Sequence, residues 1–482
     1  MPMGIRSTFR AASYLTLGLL LARTSSFFQF VVLARALPRQ ELGDYALCYA
    51  MAWLLAAFSA MGVGSAVTRE AARNAEHAGE LVLAGLPIRL AASLVTMCIG
   101  IAIALTSSWR SELRYIAIIF SVTSVPMSLT QLNEQLLVLQ GRARTATVCQ
   151  AISSAIEFTA VTVVVLAGFG VVAAALSVMA ARSGLGLVTT HLVVRRIPRP
   201  RPRVRGPTCL RILAIGWPVG LSVVLSAVYS RFDTVILSAF KGGVEVAIYA
   251  TAASLVTIAT MVQLPMVRAL FPFLTREHAK DPATLLKAHA TLIKILAAIG
   301  LPVSVLGALL IPVLIPAIYG AAYWRAAECA QVLIWTVPVL YINGLTGLIL
   351  LIGGAQKFLP LGVAAGAAAS CILNVLFIPG YGYLGAAVAA AASRCIAFAV
   401  LMYLSCKYVH RMQFTKAVAK PAVATVAMAL SVALLQGFGL AVAAVGASVV
   451  FLAAFWALRP FTREEISMFR KALGLKRPAG NS

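Results

Sequence analysis

The sequence predicts an all-α integral membrane protein of about 14 transmembrane helices, in two pseudo-symmetric six-helix lobes followed by two C-terminal helices. Three observations predict it. Of the 482 residues, 61% are hydrophobic and 11% charged, which leaves too few polar side chains to cover a soluble core. The apolar residues gather in runs of about 20 or more, the length that crosses roughly 30 Å of hydrocarbon at about 1.5 Å per residue. Short motifs of the first half also return in the same order in the second, about 204 to 212 residues later.

The first six runs fall near 12–34, 44–66, 81–106, 113–139, 147–167 and 171–194. The next eight fall near 210–240, 246–271, 288–315, 328–352, 358–378, 384–406, 417–435 and 440–458. Between the sets lies the one long polar break, Arg195-Arg196-Ile197-Pro198-Arg199-Pro200-Arg201-Pro202-Arg203-Val204-Arg205-Gly206-Pro207. Alternating Pro and Arg cannot continue a helix, because proline lacks the amide donor and like charges repel. The expected organisation is therefore an N-lobe (1–194), an Arg/Pro-rich cytoplasmic linker (195–209), a C-lobe (210–406), two further spans (407–458) and a basic cytoplasmic tail (459–482).

Charge sets the orientation. With the N-terminus inside, the even-numbered loops and both termini hold about 27 of the 40 Lys and Arg, the odd-numbered loops about 6, and the spans about 7. Basic loops stay on the cytoplasmic side, so both termini are expected there. The net charge of +25 is explained by this topology rather than by nucleic-acid binding.

The repeat supports a duplication. Thr68-Arg69-Glu70 recurs as Thr275-Arg276-Glu277, Tyr45 as Tyr249, and Gly168-Phe169-Gly170 with Arg182 as Gly380-Tyr381-Gly382 with Arg394. Six spans per repeat is an even number, so both lobes keep the same orientation, the geometry expected to enclose a central cavity.

Charges within spans carry the functional argument, because one at the bilayer centre costs about 2.5–3.5 kcal/mol on insertion scales. The candidates for a cationic, substrate-binding cavity are Arg23, Arg231, Arg268, Arg89, Lys294, Arg182 and Arg394. Arginine suits an anionic head group, since its fork of donors matches phosphate oxygens two at a time. Three of them, Arg89, Arg268 and Lys294, lie near enough to a cytoplasmic end to snorkel. Arg182 faces the alternative of pairing with Glu157 on the preceding span, and Arg231 that of local support from Asp233. Asp233 and Glu157 are also the candidate groups for ion or proton coupling. Proline and glycine within spans, among them Pro87, Pro126, Pro218, Gly62 and Gly216, supply kinks that a moving bundle can use, although both are ordinary in membrane helices.

Enzyme classes find no support. The sequence has no large soluble domain, no phosphate-binding glycine loop, five scattered His, and eight Cys without a Cys-x-x-Cys pair, so no catalytic residue, cofactor or metal site is assigned.

The motifs Leu33-Ala34-Arg35-Ala36-Leu37 with Gly43-Asp44-Tyr45, Arg231-Phe232-Asp233 with Tyr249, Ala269-Leu270-Phe271-Pro272, and Asn374 followed by Ile378-Pro379-Gly380-Tyr381-Gly382 resemble the polysaccharide flippases. These are the Wzx-type branch of the multidrug/oligosaccharidyl-lipid/polysaccharide (MOP) exporter superfamily. The resemblance implies a MATE-like fold and a transporter that flips an undecaprenyl-diphosphate-linked oligosaccharide across the bacterial inner membrane by alternating access, for capsule, O-antigen or exopolysaccharide synthesis. It implies membrane lipids, a polysaccharide polymerase and a chain-length regulator as partners, no nucleic acid, and substrate-facing charge at Arg23, Arg231 and Arg268. The alternatives are a drug/cation antiporter of the same fold, which should prefer an acidic cavity, and a membrane glycosyltransferase or polymerase, which should carry a sizeable periplasmic loop.

Overall fold

The computed structural model describes residues 5–73, 77–195, 197, 206–261, 263, 274, 282–409, 414–462 and 465. These residues are helical nearly throughout, as apolar sequence in a membrane requires, because only a helix or a closed barrel satisfies its backbone without water. In chain order the helices are α1 (Ile5–Ala36), α2 (Arg39–Phe58), α3 (Val63–Arg73), α4 (Ala78–Thr106), α5 (Ser111–Leu139), α6 (Ala143–Leu166), α7 (Gly170–Val194), α8 (Gly206–Lys241) and α9 (Gly243–Thr260). They continue as α10 (Pro282–Tyr319), α11 (Trp324–Leu333), α12 (Thr336–Ile352), α13 (Leu359–Tyr408), α14 (Phe414–Leu435) and α15 (Leu440–Leu458).

Twelve helices are long and apolar enough to span a membrane, and the pair α11–α12, bent by 43°, makes a thirteenth. The 50-residue α13 accounts for the last. As a straight rod it would measure about 75 Å, more than twice the hydrocarbon thickness. It is broken at Gly382, whose φ of 57° and ψ of −132° are not helical. Beside the break, a Cβ on Gly385 would lie 2.4 Å from the Phe377 carbonyl oxygen. Further out, Gly362 faces Leu401, and Phe358 stacks on Tyr408 with ring centroids 3.9 Å apart. The two arms therefore fold back on each other as two spans, in agreement with the fourteen read from the sequence.

The chain forms two compact units, Met1–Ser254 with Ser370–Ala386, and Leu255–Ala369 with Ala387–Ser482. Packing thus groups α8 and most of α9 with the first six spans. The division into lobes of common descent is a separate statement, and it stays a proposal. Glycines explain why α8 belongs where it does. The link between α2 and α3 turns through Met61 and Gly62, both at positive φ, and a Cβ on Gly62 would lie 1.9 Å from the Gly216 carbonyl oxygen of α8. At the other end of α2, a Cβ on Gly43 would lie 1.8 Å from the Gly243 carbonyl oxygen. No side chain fits at either crossing, so the backbones meet directly.

A buried cluster, including Val67, Leu81, Leu136, Val193 and Ile212, closes one end of the first unit across α3, α4, α5, α7 and α8. In the second unit, Val305 of α10 packs with Ala424 and Met428 of α14 and with Ala447 and Phe451 of α15.

Candidate functional site

Most charges inside the spans are held by groups of the protein itself. In the first unit, α1 is tied to α6 by Ser25 Oγ, which donates to the Ser154 carbonyl at 3.0 Å. One turn on, buried Gln29 donates through Nε2 to Tyr45 Oη of α2 at 3.2 Å. Arg182 of α7 and Glu157 of α6 form an ion pair at 2.8 Å, with side chains only 14% and 5% exposed. Glu134 of α5 lies within electrostatic reach of Arg182. Burial makes such a pair a structural commitment, since either charge left alone would be costly.

On α8, both carboxylate oxygens of buried Asp233 are occupied. Tyr249 Oη of α9 donates to Oδ2. The amide and hydroxyl of Thr234 donate to Oδ1 at 2.7 and 3.2 Å. Arg231, two residues away, is exposed and meets no acid among the described residues. No local Arg231–Asp233 pair forms, because residues two apart on a helix point to different faces.

The remaining candidates divide in the same way. Arg89, 3% exposed, donates through Nε to the Ser128 carbonyl at 3.1 Å and through a terminal nitrogen to Gln131 Oε1 at 3.0 Å. The acceptors lie two and five residues beyond Pro126 in α5. Lys294 does not snorkel to water. Its ammonium donates to Glu465 at 2.6 Å and to the Pro460 carbonyl at 3.3 Å, anchoring the chain that follows α15. Arg394, partly buried, has a weaker tie, one donor 3.4 Å from Thr336 Oγ1. Arg23 is exposed on α1. Arg268 lies outside the described residues.

The geometry gives Gln29–Tyr45 and Asp233–Tyr249 the same construction. Each pair joins two consecutive spans with a tyrosine hydroxyl 16 residues from its partner. The two pairs are offset by the same 204 residues, which gives the repeated Tyr45 and Tyr249 a shared physical role. Arg182 and Arg394, also related by the repeat, differ instead: at the Glu157 offset the second half has Ala369. Arg394 therefore lacks the acid that neutralises Arg182.

Further ion pairs in the first unit were not read from the sequence. Arg110 reaches Asp44 at 2.6 Å, and Arg211 of α8 reaches Glu70 of α3 at 2.6 Å, with Thr208 donating to Glu80 at 2.7 Å nearby. Both acids sit in motifs that stand out in the sequence, Gly43-Asp44-Tyr45 and Thr68-Arg69-Glu70. Their partners are 66 and 141 residues distant, beyond any local pattern.

These features, an all-helical chain with long apolar helices and charges tied between them, define the class as multi-pass membrane proteins. Its structure is similar to the lipid II flippase MurJ in an inward closed conformation, with TM-score 0.75 and 13% identity over 95% of this chain and 99% of that one. It is also similar to an inward-facing multidrug resistance MATE family transporter, at TM-score 0.64 and 15% identity over 80% and 94% of the two chains. A third likeness is to a MOP superfamily transporter from Pyrococcus furiosus described as having a binding pocket of reverse polarity, at TM-score 0.60 and 17% identity over 83% and 96%. No curated protein matches the chain by sequence. The model of the polysaccharide biosynthesis protein family matches residues 9–278, more than half of the chain, and the protein belongs to that family.

Proposed function

We propose that this protein is a flippase that moves a polyprenyl-diphosphate-linked oligosaccharide from the cytoplasmic to the periplasmic leaflet of a bacterial inner membrane, by alternating access and without catalysing a covalent reaction. Membership of the polysaccharide biosynthesis family carries the reading, and the excess of intramembrane cations over acids supports it. The structurally similar MurJ is named as a flippase of lipid II.

Arg23, Arg231, Arg268 and Arg394 are the proposed contacts for the diphosphate and its sugars. Arg89, Arg182 and Lys294 are committed to protein acceptors and are assigned a supporting role. Asp233 and Glu157 remain the proposed coupling groups, and each would have to release a partner before taking a proton. Both termini are proposed to be cytoplasmic, and a polymerase and a chain-length regulator are the proposed downstream partners.

The test is translocation in cells or vesicles by the combined Arg23→Ala, Arg231→Ala and Arg268→Ala protein at normal abundance. Loss of about 100-fold or more is expected, since each lost charge-assisted contact is worth about 1.5–3 kcal/mol. Unchanged flipping would remove the cationic-contact claim. A drug/cation antiporter would instead lose export on neutralising Asp233 or Glu157 and tolerate the arginine changes.

A further inference from the structure

We propose that a groove between α5 and α7 holds one anionic phospholipid of the cytoplasmic leaflet, its phosphate at His191 and Arg195 and one acyl chain along Val125, Leu129 and Leu187. The leaflet assignment rests on the cytoplasmic-termini reading above; the groove itself does not.

The groove has a volume of about 840 Å³, and every residue lining it belongs to the first compact unit. It is built rather than incidental. At one end α7 presses on α5 where Gly186 meets Pro126, close enough that a Cβ would be 3.3 Å from the proline ring. On the buried side the helices are held together by Asn133, which donates to Thr189 and Thr190 at 3.1 and 2.8 Å, and by Gln140, which donates to the Val193 carbonyl at 3.2 Å. What stays open is one stripe of α7, Ser183, Leu187, Thr190, His191 and Val194, at helical spacing.

Three properties select the occupant. Leu187 is 74% exposed and its neighbour Val188 51%, which places this face against hydrocarbon rather than water. From Ser183 to Val194 the stripe is about 16 Å long, close to the roughly 15 Å depth of one leaflet. The polar end carries Arg195 and His191, both exposed at the end of α7, and no acid is among the described residues that line the groove. Apolar walls of leaflet depth with the Arg195 cation and the His191 imidazole at head-group level match a phospholipid whose phosphate is not offset by its own cation. A polyprenyl chain is far longer than this groove.

The experiment is native mass spectrometry of the full chain released from nanodiscs of phosphatidylglycerol or of phosphatidylcholine, with thermal unfolding as the check on folding. Retention of one phosphatidylglycerol, at least about five-fold above phosphatidylcholine, is expected. Arg195→Gln with His191→Ala should erase that preference. Leu187→Trp, an exposed position that tolerates the larger ring, should fill the groove and lower retention of both lipids. Equal retention of the two lipids by the unaltered protein, or undiminished phosphatidylglycerol retention in the double variant, would overturn the proposal. So would displacement of phosphatidylglycerol by equimolar polyprenyl diphosphate, which would give the groove to the substrate. The arginine triple variant used for translocation leaves this groove intact, so the two readings fail separately.

Discussion

Arg182 and Arg394 show how one residue type takes different work from its surroundings. The first is neutralised by Glu157, and the second has only a 3.4 Å contact with a hydroxyl. Arg182→Ala should therefore destabilise the protein by about 3–5 kcal/mol, because it strands a buried carboxylate. Adding Glu157→Gln should recover part of the loss in thermal unfolding, and failure of any recovery would mean that the pair is not the cause. Arg394→Ala should cost less stability and more transport. Outside the spans, Glu465 offers a pH test. Burial alone would raise its carboxyl, but the Lys294 ammonium and the Thr462 amide outweigh that and hold it below its ordinary value. A lowered carboxyl stabilises the folded form above the unfolded value of about 4.3 and loses that effect as pH falls through the folded one. Protease cutting after α15 should accordingly increase below about pH 4, and Glu465→Gln should make it pH-independent. Sequence singled out these arginines and offered Glu157 as a partner for Arg182, yet it could not decide between pairing and substrate contact, since that depends on residues brought together by packing.

At the level of elements, the α2–α3 bend and the α13 hairpin are fixed by backbone geometry. Gly62 and Gly382 both lie at positive φ, and each would press an added Cβ against a neighbour: the Gly216 carbonyl oxygen at 1.9 Å and a Glu245 carboxylate oxygen at 2.4 Å. Glu245 also accepts the Tyr383 amide at 2.9 Å, so it caps the hairpin turn. Gly62→Ala meets backbone, which cannot yield, whereas Gly382→Ala meets the end of a flexible side chain. Gly62→Ala is expected to be the more damaging, by more than the roughly 1–2 kcal/mol of the left-handed penalty alone, as read by thermal unfolding in detergent. Equal effects would show that the α8 crossing is not tight. By contrast, Arg211→Ala should change stability by no more than about 1 kcal/mol, because Arg211 is 62% exposed and Arg73 lies 3.8 Å from the same Glu70, which keeps a partner. The glycines were visible in the sequence, but proline and glycine are common in membrane helices, and their meaning appeared only with the crossing helix in place.

For the whole molecule, orientation is the prediction that belongs to this scale. Single cysteines at 200 and at 475, introduced into a protein whose own Cys are replaced, should be labelled from the cytoplasm only; periplasmic labelling of either would reverse the topology. The sequence by itself determined that the chain is a multi-pass, all-helical membrane protein, and it raised the internal repeat as an expectation. Those properties follow from composition, run length and spacing, which are local and need no neighbour. Tertiary structure decided that α8 and most of α9 pack with the first six spans, that Tyr45 and Tyr249 close equivalent contacts, and that Arg89, Arg182 and Lys294 are held by protein acceptors. The reason is physical: a buried charge is defined by the group a few ångströms away, and in a bundle of helices that group can be more than a hundred residues distant along the chain.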